Sequence, residues 1–323
     1  MTTHRLTERH VKGFDGTRLY YNSIGRGVPL VCTDGIACDQ YAWKYVLKNF
    51  SDRCRVIRWN FRGHGRSAKP ENFENLSIEN IADDLALVMD DAGVEQAVHL
   101  GHSMGVQVIF EFFRRHKDRV AGLVPICGSY GYPLKTFHNN EIAYRLFPFI
   151  YDAVMKRPRQ IEEWWKKIVP TQFSYYIAIL TEINRLLVKQ EDFMPYLEHV
   201  AQMDLELFLK MLKYANEHTA RDVLPSIDVP TLIFGGEHDS FTPVWLSMDM
   251  HKLIPGSEIQ ILPLGTHTAP IEHPDLLSLR LDKWLREHFP KTYGRSFAKK
   301  AAVKRATHRK TPEGGQRPVA SGQ

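Results

Sequence analysis

Three polar residues, far apart in the 323-residue chain, have the side-chain types that acyl transfer requires: Ser103, Asp239 and His267. Ser103 lies in Gly101-His102-Ser103-Met104-Gly105, a match to G-x-S-x-G. A serine hydroxyl attacks a carbonyl usefully only if a base takes its proton, and an imidazole does so when a carboxylate orients it. The pentapeptide has a strand-like run, Ala97–Leu100, before it and a helix-like run from Val106 to about His116 after it. On such a sharp strand-to-helix turn a serine takes strained backbone angles, and flanking glycines let strand and helix approach. Downstream, "PTLIFGGEHDSFTP" reads as a buried strand ending at Asp239, and "IQILPLGTHTAPIEHPD" as a strand followed by a loop with His267. The order serine, acid, histidine is the one that accompanies such an elbow. Other candidates stand beside these. Glu237 and Asp228 are alternative acids, although Asp228 precedes its strand; His273 competes with His267 but reads as a helix entry. His64, His102 and His238 read as packed or hydrogen-bonded loop residues, and Arg62 and Arg66 as holding their loop together.

These groups need a scaffold that gathers strand ends. Short apolar runs at 28–35, 55–63, 96–105, 120–128, 229–239 and 257–265 each end in a turn signal and read as buried parallel strands. Between the second and third, apolar residues at 78, 81, 85 and 88 fall at helical spacing, with Gly93 as the stop. Alternating strands and helices predict a parallel sheet covered on both faces, with ligand chemistry at its carboxyl edge. The alternation breaks between about 130 and 220, where "IEEWWKKIV", "FSYYIAILTEINRLL" and "LELFLKMLKYANEH" are helical in pattern. This segment holds 16 of the chain's 36 aromatics and balances eleven basic against eleven acidic residues, which argues against a nucleic-acid surface. It reads as a helical insertion over the sheet. Its aromatics, Trp164 and Trp165 among them, are expected mostly to pack helices and partly to line a pocket.

Charge is unevenly placed. Residues 291–323 hold nine Lys/Arg against one acid, Glu313, so this tail supplies +8 of the net +5 and leaves residues 1–290 at −3. Low apolar content and a Gly/Pro-rich end predict a disordered tail. Contact of that tail with nucleic acid or an anionic membrane is a minor alternative. Four cysteines without CxxC spacing argue against a zinc site or a disulfide framework, and Cys32 and Cys127 read as small buried residues. No run approaches the roughly 18 apolar residues of a membrane helix. The first sixteen residues contain no apolar segment, so a cytoplasmic location is expected.

The sequence resembles the α/β-hydrolase superfamily over about residues 10–288. "FRGHGRS" (61–67) is similar to the loop after that family's fourth strand, and "IDVPTLIFGGEHDSFTP" to its acid-bearing strand and turn. The resemblance implies an α/β-hydrolase core from 1–129 and 221–290, with 130–220 as a substrate-shaping cap. It implies Ser103 as nucleophile, Asp239 as acid and His267 as base, with the main-chain amides of Met104 and Ile36 as the oxyanion hole. One departure is visible: the family commonly reads His-Gly-x where this chain has Asp34-Gly35-Ile36, and a carboxylate pointing inward there would weaken the hole. The expected activity is hydrolysis of an ester, lactone or thioester with an apolar portion, without metal or cofactor. C–C bond hydrolysis, cofactor-free perhydrolysis and non-catalytic binding of a small ligand are the alternatives.

Overall fold

In the computed structural model, residues 5–169, 171, 184, 186–188 and 190–293 are described. Most of "FSYYIAILTEINRLL" and the basic tail from 294 onward lie outside them. An eight-stranded sheet forms the centre: β1 (Thr7–Lys12), β2 (Arg18–Gly25), β3 (Val28–Thr33), β4 (Cys54–Trp59), β5 (Ala97–Ser103), β6 (Val120–Gly128), β7 (Leu232–Gly236) and β8 (Glu258–Leu262). Their spatial order is β1-β2-β4-β3-β5-β6-β7-β8. Strands β3 to β8 run parallel, while β1 and β2 pair antiparallel with each other and β2 antiparallel with β4. The six strands read from the sequence are the six parallel ones. The β1–β2 hairpin was not read because β1, Thr-Glu-Arg-His-Val-Lys, is exposed and charged and has no apolar run. Its turn carries Asp15-Gly16, with Gly16 at φ 84°, a hairpin signal in hindsight.

Alternate residues along each strand face opposite layers. One layer buries Val31, Ile57 and Leu123 beneath α2 (Ile78–Asp91), α3 (Met104–Arg115) and α9 (Val244–Leu253). The other buries Leu30, Val56 and Val124 against α1 (Lys44–Phe50) and α11 (Pro274–His288). The helix read at 78–88 is α2: Ile78, Ile81, Leu85 and Val88 are all fully buried, Ser77 caps its start through Asn80 N, and Gly93 ends it at φ 64°. At about 25 cal/mol per Å², such a stripe supplies most of what holds a helix in place. Between β6 and β7 lie α4 (Pro133–Thr136), α5 (Ile142–Lys156), α6 (Pro158–Ile168), α7 (Gln190–Gln202) and α8 (Leu205–Glu217). Two of these, α5 and α7, contain internal prolines, Pro148 and Pro195, whose missing N–H removes one helical hydrogen bond each. Trp165 packs as expected, with its ring 6.1 Å from Phe208 and its indole N–H on Val200 O at 3.0 Å, whereas Trp164 is exposed. Among the described residues, no helix is long and apolar enough to cross a membrane.

The loop after β4 is tied to the hairpin and to α2 by one buried ion pair. Arg62 donates from Nε and Nη2 to the two carboxylate oxygens of Asp84, at 2.7 and 2.6 Å, and from Nη1 to Asp15 at 2.8 Å. The Arg62 and Asp84 side chains have no solvent exposure. Removing Asp84 leaves the Arg62 charge fully buried with Asp15 as its counter-charge, which costs far more than losing a surface pair. Asp84→Asn is therefore expected to lower unfolding free energy by about 3–5 kcal/mol in denaturant titrations; a change below about 1 kcal/mol would contradict this role.

Candidate active site

Strand β5 is flanked by β3 and β6, so the turn at its carboxyl end stands at the middle of the sheet edge. Ser103 occupies that turn at φ 56°, ψ −122°, and α3 starts at the next residue. The glycines of the motif have separate reasons. A Cβ at 101 would lie 2.5 Å from Gly105 O, and one at 105 would lie 2.6 Å from Asp34 O. The first permits the helix to fold back on its own strand, the second permits it to lie against the end of β3. A Cβ at Gly35 would be 2.8 Å from Ser103 Cβ, so the loop after β3 passes directly over the serine. That places the main chain of Gly35 beside the Ser103 side chain, and the first amide of α3, Met104 N–H, has no intrahelical acceptor.

The loops after β7 and β8 bring the two remaining groups. His267 Nε2 is 2.9 Å from Ser103 Oγ, and its Nδ1 is 3.1 and 3.2 Å from the two oxygens of Asp239. Asp239 is buried and also accepts from Phe241 N, Thr242 N and Thr242 Oγ1 at 2.7–2.9 Å. A carboxylate so supplied with donors is fixed in direction. It can only accept from the imidazole, so Nδ1 carries the proton and the Nε2 lone pair faces the serine hydroxyl. The three residues singled out in sequence therefore meet in one hydrogen-bonded chain. Glu237 instead accepts from Leu264 N at 2.8 Å, Asp228 pairs at the surface with Lys117, and His273 precedes α11.

Of the supporting residues, Glu272 and Phe241 carried no sequence signal of their own, while His64 and His102 are hydrogen-bonded loop residues as their sequence context suggests. Glu272 accepts from Thr266 N and Oγ1, both at 2.6 Å, and from Thr268 Oγ1 at 3.0 Å, clamping the loop around His267. His102 donates from Nε2 to His267 O at 2.9 Å, and Phe241 lies with its ring 4.9 Å from the imidazole. On the β3 side, His64 Nε2 accepts from Ala37 N at 2.9 Å, which requires the neutral ring with its proton on Nδ1 toward Arg62 O. Burial pushes both His64 and His102 down to about 3, so both are neutral near pH 7. Arg66 bonds Glu8 and the Tyr20 hydroxyl, as a loop-holding residue would. All four cysteines are buried and free.

Asp34 answers the concern raised by its position. Its carboxyl turns into its own loop, where Oδ2 accepts from Gln40 N at 2.6 Å, rather than toward Ser103. Burial pushes its pKa up to about 7 even though the Gln40 N–H favours the charged form. The side chain braces the loop that carries Gly35 and Ile36.

Over Ser103 and His267 opens a cavity of about 250 Å³. Its walls are mainly apolar: Ile36 and Met104 from the sheet side, and Leu134, Phe208 and Leu212 from the helices between β6 and β7. Such a lining suits an apolar ligand fixed by a few polar groups.

The raised pKa of Asp34 has a thermodynamic consequence. In the folded state the carboxyl holds its proton to about pH 7, while unfolded it releases it near 3.8. Native protein then binds more protons across that window, so this group's contribution to stability is present in acid and lost as pH rises to about 7. The stability of Asp34→Asn relative to wild type is expected to rise between about pH 4 and about pH 7 in denaturant unfolding. A difference independent of pH would contradict the assignment.

A sequence profile of the alpha/beta hydrolase fold matches residues 28–178. A putative non-heme chloroperoxidase from Synechocystis sp. is 26% identical over 276 residues, covering 83% of this chain and 95% of that protein. Epoxide hydrolase 3 from Xenopus tropicalis is 23% identical over 287 residues, covering 85% of this chain and 76% of that protein. The structure of a thermophilic esterase from Thermogutta terrifontis superposes with a TM-score of 0.71 at 23% identity, covering 88% of this chain and 99% of that one. Together with the strand order, the elbow and the placement of the site at the sheet edge, these likenesses identify the fold of the chain as the α/β-hydrolase fold.

Proposed function

We propose that the protein is a serine hydrolase that cleaves an ester, thioester or lactone with an apolar portion through an acyl-enzyme. The observation that carries this reading is the chain Asp239–His267–Ser103, which ends at a hydroxyl under the cavity. In the first step Ser103 Oγ bonds to the carbonyl carbon while His267 Nε2 takes its proton. The carbonyl oxygen becomes an oxyanion, for which the amides of Met104 and Ile36 are the donors in this reading. Removing one such donor typically costs about 2.7–4 kcal/mol of transition-state stabilisation. Collapse expels the alkoxide or thiolate, which leaves with the proton from His267. Water then repeats the sequence on the acyl-enzyme, releasing the acid and restoring Ser103. Asp239 holds the imidazole in the productive tautomer and stabilises its cationic form.

In the same reading, the helices from α4 to α8 are a cap whose apolar side chains select the substrate. The likeness to a protein named as a putative chloroperoxidase favours a second use of the same acyl-enzyme: hydrogen peroxide in place of water, giving a peracid. The steps before the acyl-enzyme are then unchanged.

A fluorophosphonate probe is expected to label wild type and not Ser103→Ala. Wild type that stays unlabelled, or label that persists in Ser103→Ala, would overturn the reading. Hydrolysis of a p-nitrophenyl ester is expected to fall about 10⁴-fold or more in Ser103→Ala. It should also decline toward acid pH, since only the neutral imidazole accepts the serine proton; a flat rate from about pH 5 to about pH 9 would remove His267 as base.

A further inference from the structure

Gln107 lies on α3 four residues after Ser103 and lines the cavity, yet nothing in the acyl-transfer mechanism uses it. The orientation of its amide is set by a relay. Glu111, ion-paired with Arg114 at 3.2 Å, accepts from His218 Nε2 at 3.1 Å, so that ring carries its proton on Nε2 and presents a lone pair at Nδ1. Gln107 Nε2 donates to that Nδ1 at 3.2 Å and to Ala215 O at 2.9 Å. Two acceptors thus face the same nitrogen, and the flipped amide would set oxygen against both. Both N–H groups are committed, and among the described residues no donor reaches Oε1. Two neighbouring cavity hydroxyls are by contrast engaged: Ser129 donates to Gly131 O at 2.6 Å and Thr242 to Asp239 at 2.7 Å.

An acceptor left open in an apolar cavity favours a ligand that brings a donor and disfavours one that buries it against a methyl group. A cationic donor would lose its hydration among these walls, so the matching group is neutral. Resting on the serine-hydrolase reading, we propose that Gln107 Oε1 is a specificity determinant for esters carrying a neutral O–H or N–H about one helical turn, roughly 5 Å, from Ser103, with the rest of the acyl portion apolar.

The test compares kcat/KM for p-nitrophenyl 3-hydroxybutyrate and p-nitrophenyl 3-methylbutyrate, in which a methyl replaces the hydroxyl, each corrected for its rate with hydroxide. Wild type is expected to prefer the hydroxy ester about tenfold or more. Gln107→Leu should lose that preference, and Gln107→Met, which fills a similar space without an acceptor oxygen, should lose it too. A residue that merely braced α3 against α8 would lower both esters together in both variants and leave the ratio unchanged. A wild-type ratio near one, or a wild-type ratio that survives in Gln107→Leu, would overturn the proposal. Fluorophosphonate labelling of the same preparations separates the two readings: label on Ser103 with a ratio near one defeats only this inference, and no label on wild type defeats the serine-hydrolase reading and this inference with it.

Discussion

A strand that turns into a helix without a loop forces the residue at the corner into backbone angles that side chains avoid. Ser103 holds φ 56°, ψ −122°, at a cost of about 1–3 kcal/mol that its surroundings must offset. They do so by close packing. Gly101 and Gly105 let α3 lie on β5 and β3, and a Cβ at Gly128 on β6 would sit 2.6 Å from Ser103 O. The corner is thus pressed from both neighbouring strands, with Ser103 Oγ facing His267 Nε2 at 2.9 Å. Once the serine is fixed there, the loops after β3, β7 and β8 have one place to converge.

What surrounds the serine is organised by groups that must not ionise. His64 braces the loop of Gly35 and Ile36 by accepting from Ala37 N, and a proton on its Nε2 would turn that bond into repulsion. His102 braces the loop of His267 from below. Burial holds both rings neutral, so these supports do not change across the pH range in which a catalytic imidazole changes state. Asp239 is fixed in direction by three donors from Phe241 and Thr242 and accepts from His267 Nδ1 at 3.1 Å.

The parallel strands, α2 and the three residues that meet at the site were legible because each leaves a local mark: an apolar run, a helical period, a glycine-flanked serine, a polar residue at a strand end. The residues that hold them were not. Glu272 and Thr266 look like ordinary loop polarity, and His64 Nε2 meets Ala37 N across 27 positions that no spacing rule connects. Helices α5 and α7 were legible only as part of the helical segment 130–220; their internal Pro148 and Pro195 are tolerated because tertiary packing overrides local preference. The direction of the Asp34 carboxyl also depends on a loop shape, with Ala37 and Gln40 both at positive φ, that composition does not announce.

The claim on which the account turns is that Ser103 carries the acyl group between the two steps. Rapid quenching of the protein with a p-nitrophenyl ester, followed by peptide mass mapping, measures this directly. The account predicts one acyl group per chain, on the peptide containing Ser103, formed together with a stoichiometric burst of p-nitrophenol. An acyl group on another residue, or turnover undiminished in Ser103→Ala, would contradict it.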